Sequence, residues 1–151
     1  MRGAAIFVTW FGIGWLPRAP GSWGSLAALP FAWAIEQIGG PGLLAFAALA
    51  LFALGSWGSD IALHATQTRD PGWIVIDEVV GQWLTLLAAP ASLLGYAAGF
   101  LLFRLFDIWK PWPVSLADRK LEGGFGVMAD DVLAAVYAAL ALFAGRYLIE
   151  R

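Results

Sequence analysis

The chain has 151 residues, of which 60% are hydrophobic and 13% are charged, and it contains one histidine and no cysteine. An ordinary soluble domain is about 45–50% apolar and about 25% charged, so a water-soluble monomer of this size could not bury its apolar surface. The net charge of −2 excludes a strongly basic surface for nucleic acid, and the absence of cysteine excludes disulfides, thiolate metal sites and cysteine nucleophiles.

Long runs without Asp, Glu, Lys or Arg predict membrane helices, at residues 37–59, 79–103 and 132–145. A helix needs about 20 apolar residues to cross the hydrocarbon core of a bilayer. Residues 26–38 form a weaker segment because Pro30 and Glu36 interrupt it, which is compatible with a short span or a re-entrant helix. We therefore predict an all-α, integral membrane bundle of four to five hydrophobic helices, in a single domain that covers residues 1–151.

Pro90 lies near the middle of the run 79–103 and leaves two interpretations open. A proline inside a helix removes a backbone hydrogen bond and clashes with the preceding turn. The run is therefore either one kinked span or a hairpin of two shorter helices, about 77–89 and 92–109. The hairpin is favoured by the polar segments described next, because it returns all of them to one side of the membrane.

Four polar segments flank the apolar runs, at residues 12–25, 70–81, 103–113 and 123–131. Asp77-Glu78 and Asp130-Asp131 each stand where a long apolar helix is predicted to start. Helix capping explains one such pair, since acidic residues are favoured in a first turn. Two pairs together with Asp107, in a chain so poor in charge, favour a shared functional site, because carboxylates near a bilayer are costly and are usually functional. If these carboxylates converge, protons or a divalent cation must neutralise them. Ligands that offer only oxygen select a hard ion, Mg²⁺ before Mn²⁺ or Ca²⁺.

The cations of the third segment also have two interpretations. Arg104, Asp107 and Lys110 are spaced by three residues and lie along one side of a helix. They form either a local salt bridge of little energetic weight or a clamp for a phosphate. Gly123, Gly124 and Gly126 allow backbone amides to approach an anion, next to a predicted helix N-terminus that itself favours anions.

The distribution of positive charge predicts the orientation. With a hairpin at Pro90, the side that carries the polar segments holds seven cations, Arg2, Arg18, Arg69, Arg104, Lys110, Arg119 and Lys120. The far side holds only Arg146 and Arg151. The excess of positive charge marks the cytoplasmic side of a membrane protein, so we expect the site to face the cytoplasm.

The same four segments resemble the signature of the bacterial phosphatidylglycerophosphatase A family. The matching pieces occur in the family order, at residues 16–26, 76–83, 103–113 and 123–132. Two positions depart from the family pattern: Ser22 stands where Thr is common, and Ala135 stands where Gly is common. Neither departure falls on a proposed ligand.

The resemblance implies an all-helical, Mg²⁺-dependent phosphatase of the bacterial inner membrane, which converts phosphatidylglycerophosphate to phosphatidylglycerol and inorganic phosphate. The expected Mg²⁺ ligands are Asp77, Glu78, Asp107, Asp130 and Asp131. The expected catalytic residues are the same five carboxylates together with Lys110. The residues expected to bind the substrate phosphate are Arg18, Arg104, Lys110, Gly123 and Gly124.

Three other functions stay open from the residues alone. One is a phosphatase of another lipid phosphate, another is a small membrane ion transporter, and the third is a structural membrane protein whose carboxylates cap helices. A transporter should carry its carboxylates near the bilayer midplane, whereas the predicted positions here lie at segment ends. The expected partners are the phospholipid substrate and the bilayer, with no nucleic acid, and the oligomeric state is not predicted.

Overall fold

The structure, a computed structural model, describes residues 2–151, and in that range it consists of helices joined by loops, with no strand. Six α-helices follow in chain order: α1 (Arg2–Val8), α2 (Pro20–Thr66), α3 (Ile76–Leu86), α4 (Leu93–Trp109), α5 (Val114–Lys120) and α6 (Gly123–Ile149). A short 3₁₀ helix, Ile13–Trp15, precedes α2. The prediction of an all-α fold is confirmed.

Helix α2 is bent back on itself at Gly40. This residue has φ 69° and ψ −169°, a backbone conformation that glycine adopts without a steric penalty. Gly24, before the break, packs against Val75, and Gly55, after it, packs against Ile76. Val75 and Ile76 are adjacent, so these two glycines lie at the same height in the bundle, on either side of the break. The first arm (20–39) and the second arm (41–66) therefore run antiparallel.

Helix α3 is the centre of the bundle and packs against α2, α4 and α6. All of its residues except Glu78 and Leu84 are buried. The indole Nε1 of Trp83 donates a hydrogen bond to the carbonyl of Ala28 in the first arm, at 2.9 Å. Glycines at the helix contacts allow this close approach, which stabilises helix association in a bilayer where apolar surface by itself gives little driving force.

The run 79–103 is a hairpin, because α3 ends at Leu86 and α4 begins at Leu93. The hydroxyl of Ser92 caps α4 by accepting a hydrogen bond from the Gly95 N–H at 3.0 Å. The structure thus excludes the single kinked span. The hydroxyl of Tyr96 donates to Glu36 at 2.7 Å, so the turn at Pro90 lies beside the end of the first arm that leads into Gly40. Both turns therefore lie at the end of the bundle opposite to the polar segments.

The number of spanning helices is lower than predicted. Within residues 2–151, two helices, α2 and α6, are long and apolar enough to cross a membrane, against the four to five expected. Helices α3 and α4 have 11 and 17 residues, which is shorter than the roughly 20 residues of a full span. The predicted segment 26–38 lies in the first arm of α2, and the run 37–59 continues across Gly40 into the second arm.

The glycine-rich segment 123–131 is itself helical, which corrects the prediction that a helix begins at its aspartates. Helix α6 begins at Gly123, and its first turn contains no acidic residue. The N–H of Gly124 instead donates to the carboxylate of Asp60 in the second arm of α2, at 2.6 Å. Asp130 and Asp131 therefore project from the body of α6, where they do not cap it.

Candidate active site

Three carboxylates from two helices converge at the polar end of the bundle. Asp77, Glu78 and Asp131 each place an oxygen within 4.8 Å of the other two, and we call these residues the carboxylate cluster. Asp77 and Glu78 occupy the first turn of α3, while Asp131 comes from α6. Gly81 permits this approach, because a methyl group there would lie 3.1 Å from the Asp131 carbonyl and 2.5 Å from the Phe103 ring.

The cluster is buried and its oxygens lack partners. Asp77 is 9% exposed and Asp131 is 2% exposed. Among residues 2–151, no hydrogen-bond donor reaches Oδ1 of Asp77, Oε2 of Glu78 or Oδ2 of Asp131. Burying charged oxygens without a partner costs several kcal/mol, so a proton or a cation must compensate them. Because the donors are all oxygens, the cluster fits a hard divalent cation such as Mg²⁺.

Arg104 joins α4 to the cluster. Its Nη1 lies 3.8 Å from Oε1 of Glu78 and forms a second ion pair with Asp107 one turn along α4. The first turn of α2 closes the same side of the cluster, since a methyl group at Gly21 would overlap the Glu78 carboxylate. The guanidinium is therefore held in place between two acidic side chains at the edge of the cluster.

Lys110 is surrounded by carboxylates just after the end of α4. Its Nζ lies 2.6 Å from Asp130, 3.6 Å from Asp118 and 3.7 Å from Asp107. Burial lowers the pKa of Lys110, but the hydrogen bond to Asp130 and the surrounding carboxylates outweigh burial and raise the pKa above its ordinary value. The side chain is consequently a cation at neutral pH.

The structure divides the five predicted Mg²⁺ ligands into two groups. Asp77, Glu78 and Asp131 form the cluster, whereas Asp107 and Asp130 form ion pairs with Arg104 and Lys110. The salt bridge predicted for the third segment is therefore present, at the edge of the cluster, and the phosphate clamp stays a prediction.

The remaining predicted phosphate ligands lie further out. Gly123 and Gly124 pack against Asp60, and the N–H of Gly124 is occupied by its carboxylate. Arg18 is exposed on the loop before α2 and forms no ion pair within residues 2–151.

Two residues of this region, Asp60 and Asp118, were not predicted. Asp60 caps α6 from another helix, and Asp118 of α5 approaches Lys110 at 3.6 Å. In the sequence, Asp60 ends an apolar run and Asp118 stands in a charged run typical of a solvated helix face, so no local signal marks either of them.

A polar cleft of about 320 Å³ lies between the loops at the polar end of the bundle and reaches Asp130. Its lining includes Arg69, Asp118, Arg119, Gly123 and Asp130. Asp130, which forms an ion pair with Lys110, thus faces the cleft, whereas none of the three cluster residues lines it.

Comparison with known proteins identifies relatives along most of the chain. The family model described as Phosphatidylglycerophosphatase A matches residues 6–146. Phosphatidylglycerophosphatase A of Escherichia coli is 38% identical over 138 residues, which cover 88% of this chain and 77% of the relative. Phosphatidylglycerophosphatase A of Haemophilus influenzae is 41% identical over 138 residues, which cover 91% of this chain and 85% of the relative.

A third relative carries a different name. A protein of Bacteroides thetaiotaomicron, provisionally named a phosphatidylinositol-3-phosphatase, is 42% identical over 156 residues, which cover 93% of this chain and 92% of the relative. No solved structure matches the chain. The resemblance inferred from the four polar segments is confirmed, and the chain belongs to the phosphatidylglycerophosphatase A family.

Proposed function

We propose that this protein hydrolyses the terminal phosphate of phosphatidylglycerophosphate, producing phosphatidylglycerol and inorganic phosphate. The family supplies the substrate and the reaction. The observation that supports this activity in the structure is the buried carboxylate cluster with its unpartnered oxygens, which adjoins two cations at the polar end of the bundle.

Mg²⁺ is the proposed cofactor, held by Asp77, Glu78 and Asp131. When bound, it would polarise the phosphoryl group and lower the pKa of a water molecule for attack. Arg104 and Lys110 stabilise the negative charge that develops on the phosphoryl oxygens. Asp107 orients both cations, and Asp130 orients Lys110, because the ion pairs hold their head groups in one position.

A bacterial inner membrane is the proposed location, with the cluster on the cytoplasmic side. In this arrangement the two arms of α2 and the helix α6 cross the bilayer. The hairpin of α3 and α4 extends between them from the cytoplasmic face to the far end of the bundle, where Tyr96 contacts Glu36. The turns at Gly40 and Pro90 then lie on the far side, as their shared end of the bundle suggests. The carboxylates lie at one end, which favours a phosphatase over an ion transporter with a midplane site.

Single-cysteine labelling tests this topology. Because the chain has no native cysteine, the introduced cysteine is the only thiol that can react. We expect a membrane-impermeant maleimide added to intact spheroplasts to label Ala91→Cys, beside the Pro90 turn. The matched variant Ser115→Cys, on α5, should react only after the membrane is permeabilised. Ala91 is exposed, and its replacement leaves the Ser92 cap intact. Labelling of both cysteines from the same side would contradict the proposed topology.

A phosphate-release assay tests the function against its nearest alternative, a phosphatase of another lipid phosphate. We expect kcat/KM for phosphatidylglycerophosphate to exceed that for phosphatidylinositol 3-phosphate by about 10²-fold or more, because a site with matched polar contacts discriminates strongly between head groups. The purified full chain is assayed in detergent micelles that contain equal surface concentrations of either lipid. A higher rate with the inositol lipid would support the alternative suggested by the name of the Bacteroides relative.

A further inference from the structure

Arg18 is an exposed cation on the loop that leads into the first turn of α2, and it has no ion-pair partner within residues 2–151. It lies three residues before Gly21, and Gly21 packs directly against the Glu78 carboxylate and the Arg104 guanidinium. Arg104 and Lys110 are both held by acidic side chains, whereas Arg18 forms no ion pair within residues 2–151. An exposed guanidinium at this position is available to an anionic ligand.

The surroundings of Arg18 are apolar. Leu16, Pro17, Arg18 and Trp23 line a groove of about 370 Å³. Leu16 is 41% exposed and Trp23 is 50% exposed, and tryptophan is enriched where a membrane protein meets the head-group region. A single cation set among apolar walls complements a group that is anionic on one side and attached to hydrocarbon on the other.

We propose that Arg18 binds the phosphodiester of the lipid substrate while the terminal phosphate occupies the carboxylate cluster. This inference rests on the proposed function, since phosphatidylglycerophosphate carries a terminal phosphate and a phosphodiester separated by one glycerol unit. A guanidinium suits a phosphodiester because its planar fork donates two parallel hydrogen bonds to two phosphate oxygens. Arg18 then increases the affinity for the substrate by binding the part of the lipid that is not hydrolysed.

The test compares Arg18→Gln and Arg18→Lys with the wild-type chain in mixed micelles. The measurements are kcat and KM for phosphatidylglycerophosphate and the inhibition constants of two products. Phosphatidylglycerol keeps the phosphodiester, whereas inorganic phosphate stands in for the terminal phosphate alone. We expect Arg18→Gln to raise KM and the phosphatidylglycerol inhibition constant about tenfold, with kcat and inhibition by inorganic phosphate changed less than about twofold.

Two matched variants complete the experiment. Arg18→Lys should recover part of the lost affinity, because it keeps the charge but not the bidentate geometry. Lys120→Gln removes an exposed cation at the same end of the bundle but outside the groove, and it should leave all four constants unchanged.

Three results would contradict these proposals, and each of them identifies which proposal fails. A wild-type chain that releases no phosphate would overturn the proposed function. An active wild-type chain whose Arg18→Gln variant keeps KM and phosphatidylglycerol inhibition within twofold would overturn this inference alone. A lower kcat combined with weaker inhibition by inorganic phosphate would also overturn it, since Arg18 would then contact the terminal phosphate.

Discussion

Replacing Asp131 by Asn should lower kcat/KM for phosphate release by about 10³-fold or more, the scale of losing a key electrostatic group from a preorganised site. The substitution keeps the size of the side chain and removes one negative charge from the cluster. Asp131 is 2% exposed and carries an oxygen without a hydrogen-bond partner. A carboxylate on the surface of the protein cannot take over its role inside the cluster. We expect Asp77→Asn to have a similar effect.

The Asp131→Asn variant should also be more stable than the wild type when no divalent cation is present. Three carboxylates within 4.8 Å repel one another, and an amide at position 131 removes part of that repulsion. Thermal unfolding in EDTA therefore provides a second readout that separates lost function from lost folding. Glu36→Gln serves as the control, because it changes a carboxylate at the far end of the bundle and should leave phosphate release unchanged. An Asp131→Asn variant that folds and works at the wild-type rate would show that the cluster is not the site.

Removing divalent cations with EDTA should reduce phosphate release to below about 1% of its initial rate, and added Mg²⁺ should restore it. The cause is the donor set of the cluster, which offers only carboxylate oxygens and leaves at least three of them without a partner. Mn²⁺ should substitute for Mg²⁺, since it accepts the same oxygen ligands. The measurement is phosphate release by the full chain in detergent, before chelation, after it and after each metal is returned.

Binding provides a readout that does not depend on turnover. Saturating Mg²⁺ should raise the unfolding temperature of the wild type, because a ligand that binds only the folded state stabilises it by about 2.7 kcal/mol at 100 times its Kd. Asp131→Asn should show a smaller rise. EDTA already saturated with Mg²⁺ is the control for direct effects of the chelator. Full activity with free EDTA would mean that shared protons, and no metal, compensate the cluster.

The sequence by itself determined the helical class and the family, and it predicted an interruption at Pro90 while leaving open a kink or a hairpin. Apolar runs of span length predict helices because backbone polar groups in a bilayer must bond within their own segment. Pro90 interrupts such a run through its own ring, which is a local effect, and α3 and α4 indeed lie on either side of it. The polar segments identified the family because residues such as Asp77 and Asp131 stand out in a chain with 13% charge.

Only the tertiary structure decided how those residues are grouped. Spacing along the chain predicts neighbours within one helix, but Asp77 on α3 meets Asp131 on α6 because Gly81 lets the two helices approach. Asp60 accepts a hydrogen bond from Gly124, 64 residues away in the sequence, in the first turn of α6, and Asp130 and Asp131 are buried further along the same helix. Local sequence determines which segments become helices. Which side chains share a site depends on helix packing, because packing brings together residues that no local pattern connects.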